Sequence, residues 1–204
     1  EAVFEEMSVK KQVFKILDKV IKKGGILASN TSYLNINELA STISRPEDVI
    51  GIHFFSPANI MRLMEIVIPE KVSAEVVATS FHLAKLLNKI PVRAGICEGF
   101  IGNRILDKYG ECAFFMMEDG ATPYEIDKAI YDFGYPMGPF QMFDLAGGDI
   151  GWAKRKRQTK FRNPKSRYVN IADQLCEKGW FGQKTGRGYY RYDKGDRKGD
   201  TDLE

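Results

Sequence analysis

Two short apolar runs, set almost back to back, constrain this chain most. Residues 49–55 read VIGIHFF and residues 62–68 read RLMEIVI, with SPANIM between them. Both are too short for helices and rich in β-branched and aromatic residues. They read as buried strands that fold back on each other as an antiparallel pair. The interior of each run is broken by one ionisable residue, His53 in the first and Glu65 in the second. A lone carboxylate inside LMEIVI is costly unless it is paired or reaches solvent. A His53–Glu65 contact satisfies both groups. A carboxylate beside an imidazole favours the imidazolium and fixes which ring nitrogen is left to accept a proton. That combination is a general base suited to neutral pH. Two bland readings stand beside it: His53 as a hydrogen-bonded core residue, and Glu65 facing solvent from an edge strand.

Around this pair, strand and helix alternate as far as residue 95. Val9, Val13, Ile16, Leu17, Val20 and Ile21 form one helical face, with Ser8 as its N-cap and Gly24 as its stop. GILAS is a short strand, NINELASTI a short amphipathic helix, SAEVVATSFHLAKLLNKI a longer one and IPVRA a last strand. This alternation predicts a mostly parallel α/β sheet with an antiparallel excursion at its edge. From about Gly99 the periodicity is helical. Thr122 is an N-cap before Pro123, the run at 112–117 is helix core with Cys112 buried, and the chain closes on an extended aromatic tail and a polar, frayed end at 195–204. His82 reads as a helix-face residue and Trp152 and Trp180 as packing anchors. The division predicted is therefore 1–95 and 96–204.

A dinucleotide-binding half opens with strand, G-x-G-x-x-G and helix. No such string occurs; Gly186 and Gly188 come nearest, but Arg191 stands at the third glycine and no helix follows. The fold class read from the sequence is thus α/β: the C-terminal half of a Rossmann-type doubly wound sheet, followed by an all-α helical domain. The opening EAVFEE reads as the end of a strand, and the chain as a fragment that is weak or inactive alone.

Composition excludes several function classes. Among 204 residues, 30 basic and 27 acidic side chains leave a net charge of +3, which is not a nucleic-acid-binding composition. No apolar run approaches the roughly 20 residues that span a bilayer. Three scattered cysteines without a CxxC pair point to a reducing compartment rather than a disulfide framework.

Two further places are suited to chemistry. Ser29, Asn30, Thr31 and Ser32 follow a strand directly, and ligands of open α/β sheets sit outside the carboxyl ends of strands. Their hydroxyl and amide groups suit a substrate oxygen or a nicotinamide; the alternative is a polar cap before the next helix. Asn103, in GFIGNRIL, begins a helix, where it either donates to a carbonyl or developing oxyanion or bonds the local backbone. The basic run at 154–167 reads as a solvated surface, with phosphate contact as the lesser alternative.

Taken in order, ASNTSYL, HFFSP, MEIV, GFIGNR, GPF…DLAG and FGQKTGRGYY resemble the L-3-hydroxyacyl-CoA dehydrogenases over essentially the whole chain. EAVFEEMS, HFFSPA and FGQKTG are most similar to the bifunctional, peroxisomal branch, in which a hydratase domain precedes. The resemblance implies an NAD-dependent oxidation of L-3-hydroxyacyl-CoA in fatty acid β-oxidation, with His53 as catalytic base and Glu65 as its partner. It implies that Ser32 contacts the substrate 3-oxygen and the nicotinamide side, and that Asn103 holds substrate and His53. Glu5, Lys10, Asn30 and Ser32 are implied at the cofactor, and Arg191 loosely so. It implies an acyl-CoA substrate, a peroxisomal location (otherwise cytoplasmic), and either a homodimer through the helical domain or packing against a second helical domain. Ser56 stands where monofunctional relatives carry Asn. A non-catalytic acyl-CoA-binding or assembly module is the rival reading. A 6-phosphogluconate-type enzyme using Lys108 ranks below it.

Overall fold

The computed structural model describes residues 1–193 and 199–202. The chain forms two compact units, Glu1–Asp107 and Lys108–Glu204. The first unit contains α1 (Met7–Val20), β1 (Leu27–Ser29), α2 (Ile36–Ala40), β2 (Val49–Phe54), β3 (Leu63–Val67), α3 (Ala74–Leu86), β4 (Ile90–Ala94) and the first turn of α4 (Gly102–Glu118).

The sheet has four strands in the order β1-β2-β3-β4. β1 and β2 are parallel, β2 and β3 antiparallel, β3 and β4 parallel. The antiparallel pairing therefore lies in the middle of this sheet and not at its edge. The reason is the connection through α3, a crossover that returns β4 parallel to β3 and adds it outside. Strand alternation sorts the side chains to two faces. Val49 and Val67 pack with Phe14 of α1 and Ile36 and Leu39 of α2 on one face. Ile50, Ile52, Met64 and Ile66 pack with Val76 and Ala84 of α3 on the other. Glu1, from the stretch read as a strand end, flanks β1: its main-chain nitrogen donates to Ala28 O at 2.6 Å, and Asn30 N–H donates to Glu1 O at 3.0 Å.

α1 differs from its expected limits at both ends. Glu6, in extended conformation, is the N-cap, and Ser8 lies inside the first turn with its hydroxyl donating to the Glu6 carboxylate. The helix stops at Val20 because Ile21 turns extended and packs on the core; Gly24 only completes the turn beyond it.

The second unit holds the rest of α4, then α5 (Pro123–Phe133), α6 (Pro139–Ala146), α7 (Gly148–Gln158) and α8 (Ile171–Glu177). It is not wholly helical. The aromatic tail pairs as a two-stranded antiparallel ribbon, β5 (Tyr190–Arg191) with β6 (Asp200–Thr201). Of the closing segment read as frayed, 195–198 and 203–204 lie outside the described residues. Thr122 caps α5 in a reciprocal capping box with Glu125, Pro123 begins the helix and Gly134 ends it left-handed. Cys112 is exposed, contrary to the expectation of burial: Ala113 faces the core, and Cys112 and Met116, one turn apart, share the outer side.

Two buried carboxylates organise this unit. Asp144 accepts from Tyr189 N–H (3.0 Å), Tyr190 N–H (2.9 Å) and Tyr192 O–H (3.0 Å). Asp127 accepts from Phe140 N–H, Gln141 N–H and Tyr190 O–H. Burial pushes the Asp144 carboxyl up to about 6 against the pull of those donors, with Asp127 adding to the rise. Burial raises Asp127 too. Gly188 has to be glycine: a Cβ there would lie 2.0 Å from Asp144 Oδ1. Much of the basic run is anchored within the unit, Arg155 on Asp173 (2.6 Å), Lys156 over Trp152 (3.6 Å) and Arg167 on Glu118 (2.6 Å). Trp180 carries Lys178 and Arg187 on its ring. His82 is exposed. No helix among the described residues is long and apolar enough to cross a membrane.

The units divide within α4, later than the strand exit at 95/96. The first turn of α4 belongs to the first unit because its backbone meets β3 there.

Candidate active site

The antiparallel register sets His53 directly opposite Glu65. Directly opposed residues project to the same face with Cβ atoms about 5 Å apart. His53 is 3% exposed and Glu65 0%. His53 Nδ1 and Glu65 Oε2 are 2.7 Å apart. Glu65 Oε1 accepts from Ile101 N–H at 2.9 Å and Gly102 N–H at 2.8 Å, at the start of α4. A carboxylate there also gains from the helix dipole. With both Glu65 oxygens accepting, His53 Nδ1 is the donor and the Nε2 lone pair is free. Ser32 Oγ lies 3.1 Å from Nε2 and donates to it in that tautomer. Phe55 and Phe100 flank the imidazole, with ring centroids 4.6 Å and 5.6 Å away.

Ser32 is itself held from α1's approach segment. Glu5 Oε1 accepts from Thr31 O–H, Ser32 N–H (2.9 Å) and Tyr33 N–H (3.1 Å). Glu5 Oε2 pairs with Lys10 Nζ at 3.3 Å. Lys10 is 1% exposed and also donates to the Glu1 carboxylate and to Val3 O. Burial opposes the charge on Glu1, and donors at Ser29, Val3 and Lys10 outweigh it, so its pKa is lowered. Asn30 Oδ1 accepts from Phe54 N–H at 2.9 Å, tying the end of β1 to the end of β2. The structure thus brings His53, Glu65 and Ser32 into direct contact. Glu5, Lys10 and Asn30 brace the loop that carries Ser32. Asn103 stands half-buried in the first turn of α4, next to the Gly102 amide that Glu65 holds. Arg191 lies in β5 of the second unit. Lys108 is exposed and pairs with Glu111, a surface helix pair rather than a site residue.

Sequence reading missed the groups that hold Glu65: they are backbone amides, which no side-chain pattern reports. The glycine at 102 was the available signal, since glycine permits close approach of a backbone. Among the described residues no cluster of His, Cys, Asp and Glu suits a metal ion.

Comparison with known proteins gives the family of the chain. Residues 1–97 match the NAD binding domain of 3-hydroxyacyl-CoA dehydrogenase and residues 99–192 its C-terminal domain. The peroxisomal bifunctional enzyme of Danio rerio is 47% identical over 215 residues, covering 100% of this chain and 30% of that protein. The peroxisomal fatty acid beta-oxidation multifunctional protein MFP2 of Arabidopsis thaliana is 38% identical, covering 100% of this chain and 28% of that protein. The chain therefore spans under a third of the length of these curated relatives. Among solved structures, (S)-3-hydroxybutyryl-CoA dehydrogenase PaaH1 from Ralstonia eutropha superposes with a TM-score of 0.87 at 35% identity, over 95% of this chain and 70% of that one. On these two domain matches and this likeness in sequence and structure, the chain belongs to the 3-hydroxyacyl-CoA dehydrogenase family.

Proposed function

We propose that this chain carries the proton-transfer site of an NAD-dependent L-3-hydroxyacyl-CoA dehydrogenase acting in fatty acid β-oxidation. One observation carries the reading: a buried imidazole fixed through Nδ1 by a carboxylate 2.7 Å away, with Nε2 directed at a hydroxyl. Oxidising a secondary alcohol removes a proton from oxygen and a hydride from carbon. His53 Nε2 takes the hydroxyl proton, and Ser32 Oγ marks where that hydroxyl sits. Glu65 stabilises the imidazolium through the Nδ1–H bond, which becomes charge-assisted as the proton arrives. Asn103 orients the substrate carbonyl.

The residues fit the nicotinamide end of NAD. The polar loop 30–33 lies outside the carboxyl end of β1, where nucleotides of open α/β sheets bind, and Glu5, itself paired with Lys10, holds that loop. Bound NAD supplies a hydride acceptor there. Asn30, Ser32, Glu5 and Lys10 shape the place, with Ser32 in reach of both reactants. A peroxisomal location accords with the names of the curated relatives. Assembly through the helical unit, as a homodimer or against a second helical domain, belongs to the same proposal; size-exclusion mass tests it.

The test is reduction of acetoacetyl-CoA by NADH with the intact gene product. His53→Ala lowers turnover by roughly 10²–10⁴-fold, the ordinary worth of a positioned general base. Undiminished turnover in that variant overturns the base assignment.

A further inference from the structure

The segment between β4 and α4 contains an unusual backbone. Gly99 has φ +75°, and Phe100, a bulky residue, follows at φ +48°. Left-handed conformation is uncommon outside glycine, and it persists only where the surroundings impose it. The surroundings here are the candidate active site. Phe100 is 1% exposed, and its ring meets His53 edge-on at 5.6 Å. The next two amides, Ile101 and Gly102, both donate to Glu65 Oε1. Gly102 leaves no room for a side chain: a Cβ would lie 2.6 Å from Phe55 Cζ. Phe55 in turn packs on His53, with ring centroids 4.6 Å apart.

We propose that Phe100 is a positioning residue for His53 and Glu65, acting through its left-handed backbone. This rests on the function proposed above and adds how the base is held. Two successive left-handed residues reverse the chain and aim consecutive amides at one oxygen. With two donors on Oε1, Glu65 cannot rotate without leaving them unpaired. Oε2 then stays on Nδ1, and the Nε2 lone pair stays toward Ser32. Burial of the Phe100 ring against His53 anchors the turn. One residue thereby fixes the carboxylate by its main chain and the imidazole by its side chain. A right-handed residue at 100 turns the amides away, and both Glu65 and the His53 tautomer lose their definition.

Two substitutions separate backbone from ring. Phe100→Gly deletes the ring but adopts positive φ freely. Phe100→Val keeps more apolar volume, but its β-branched side chain is a genuine misfit at positive φ. If the backbone positions the site, Phe100→Val is the worse variant. Its turnover in the intact gene product falls roughly 10²-fold with the KM for acetoacetyl-CoA nearly unchanged, and Phe100→Gly falls clearly less. The second readout is independent of activity. In the 204-residue chain labelled with ¹⁵N-histidine, whose two histidines are His53 and the exposed His82, the His53 signals report a protonated Nδ1 and a bare Nε2. That signature persists in Phe100→Gly and is lost in Phe100→Val. Should Phe100→Val not fold, Phe100→Ala serves in its place: it lacks the ring, as Phe100→Gly does, but resists positive φ, so the signature is weaker there than in Phe100→Gly. Retention of the signature in Phe100→Val, or equal signatures in Phe100→Ala and Phe100→Gly, overturns the proposal, as does a larger loss in Phe100→Gly than in Phe100→Val. An intact gene product that does not reduce acetoacetyl-CoA counts against the proposed function alone, because the nitrogen signals still decide the positioning.

Discussion

Glu65 in the first unit and Asp144 in the second solve the same problem with different ends. Each is a carboxylate buried in its unit, and each accepts two backbone N–H groups. Glu65 gives both amides to one oxygen and keeps the other for an imidazole, a group that can exchange a proton. Asp144 distributes its donors over both oxygens and adds a phenol, Tyr192, whose own proton burial holds more tightly. The first arrangement leaves a proton acceptor poised at its far end. The second closes on itself and pins the 189–192 tail to α6. A buried carboxylate with amide donors is therefore not a catalytic signature; what its remaining oxygen faces decides the role.

Substitutions that keep shape and change charge sharpen this contrast. Glu65→Gln has the largest expected effect. Its carbonyl oxygen takes the Ile101 and Gly102 amides, so its NH₂ group faces His53 Nδ1 and forces the wrong tautomer. Turnover of the intact gene product falls by about 10²–10⁴-fold, as when the acid orienting a catalytic histidine is neutralised. A loss under tenfold would break the comparison at its first member.

Asp144→Asn is the counterpart, read in stability against pH by urea unfolding. The folded pKa of Asp144, about 6, lies above the ordinary 3.8, so the folded state binds more protons between those values. The stability this group contributes is fully present below about pH 4 and is lost as pH rises through about 6. The advantage of the wild-type chain over Asp144→Asn therefore shrinks by roughly 2 kcal/mol between pH 4 and 7. A difference flat across that window would show that burial does not govern Asp144. Gly188→Ala is the smallest of the three. Its methyl meets the Asp144 carboxylate and lowers stability by about 1–3 kcal/mol, the usual cost of overpacking. An unchanged urea midpoint would mean the tail does not depend on that close approach.

Local signals specify much of this fold. Thr122–Pro123 and Gly134 bound α5 because capping chemistry acts within one turn. The β2–β3 pair was legible because two short apolar runs with a brief loop between them have few other places to go. The pairing of His53 with Glu65 followed, since each is the one ionisable residue in its strand. Other elements were not legible. Ser8 resembles a cap by type, but Glu6 occupies the position where extended chain becomes helix. Cys112 sits in an apolar stretch, yet its phase on α4 turns it outward. Lys10, which the resemblance implies at the cofactor, is among the most buried side chains, enclosed by Glu1, Glu5 and Val3 O, and no spacing in the sequence announces that burial.

The sequence by itself determined the strands, the main helices and the residue types able to move a proton, because these depend on periodicity and on interactions within a few residues. Only the tertiary structure decided that β4 adds outside β3 and leaves the antiparallel pair central, that Glu5 braces Ser32, and that two main-chain amides at the start of α4 hold Glu65 in place. Those contacts join residues 26 to 37 positions apart, or pair groups that every residue carries, and neither kind leaves a local trace in composition or spacing.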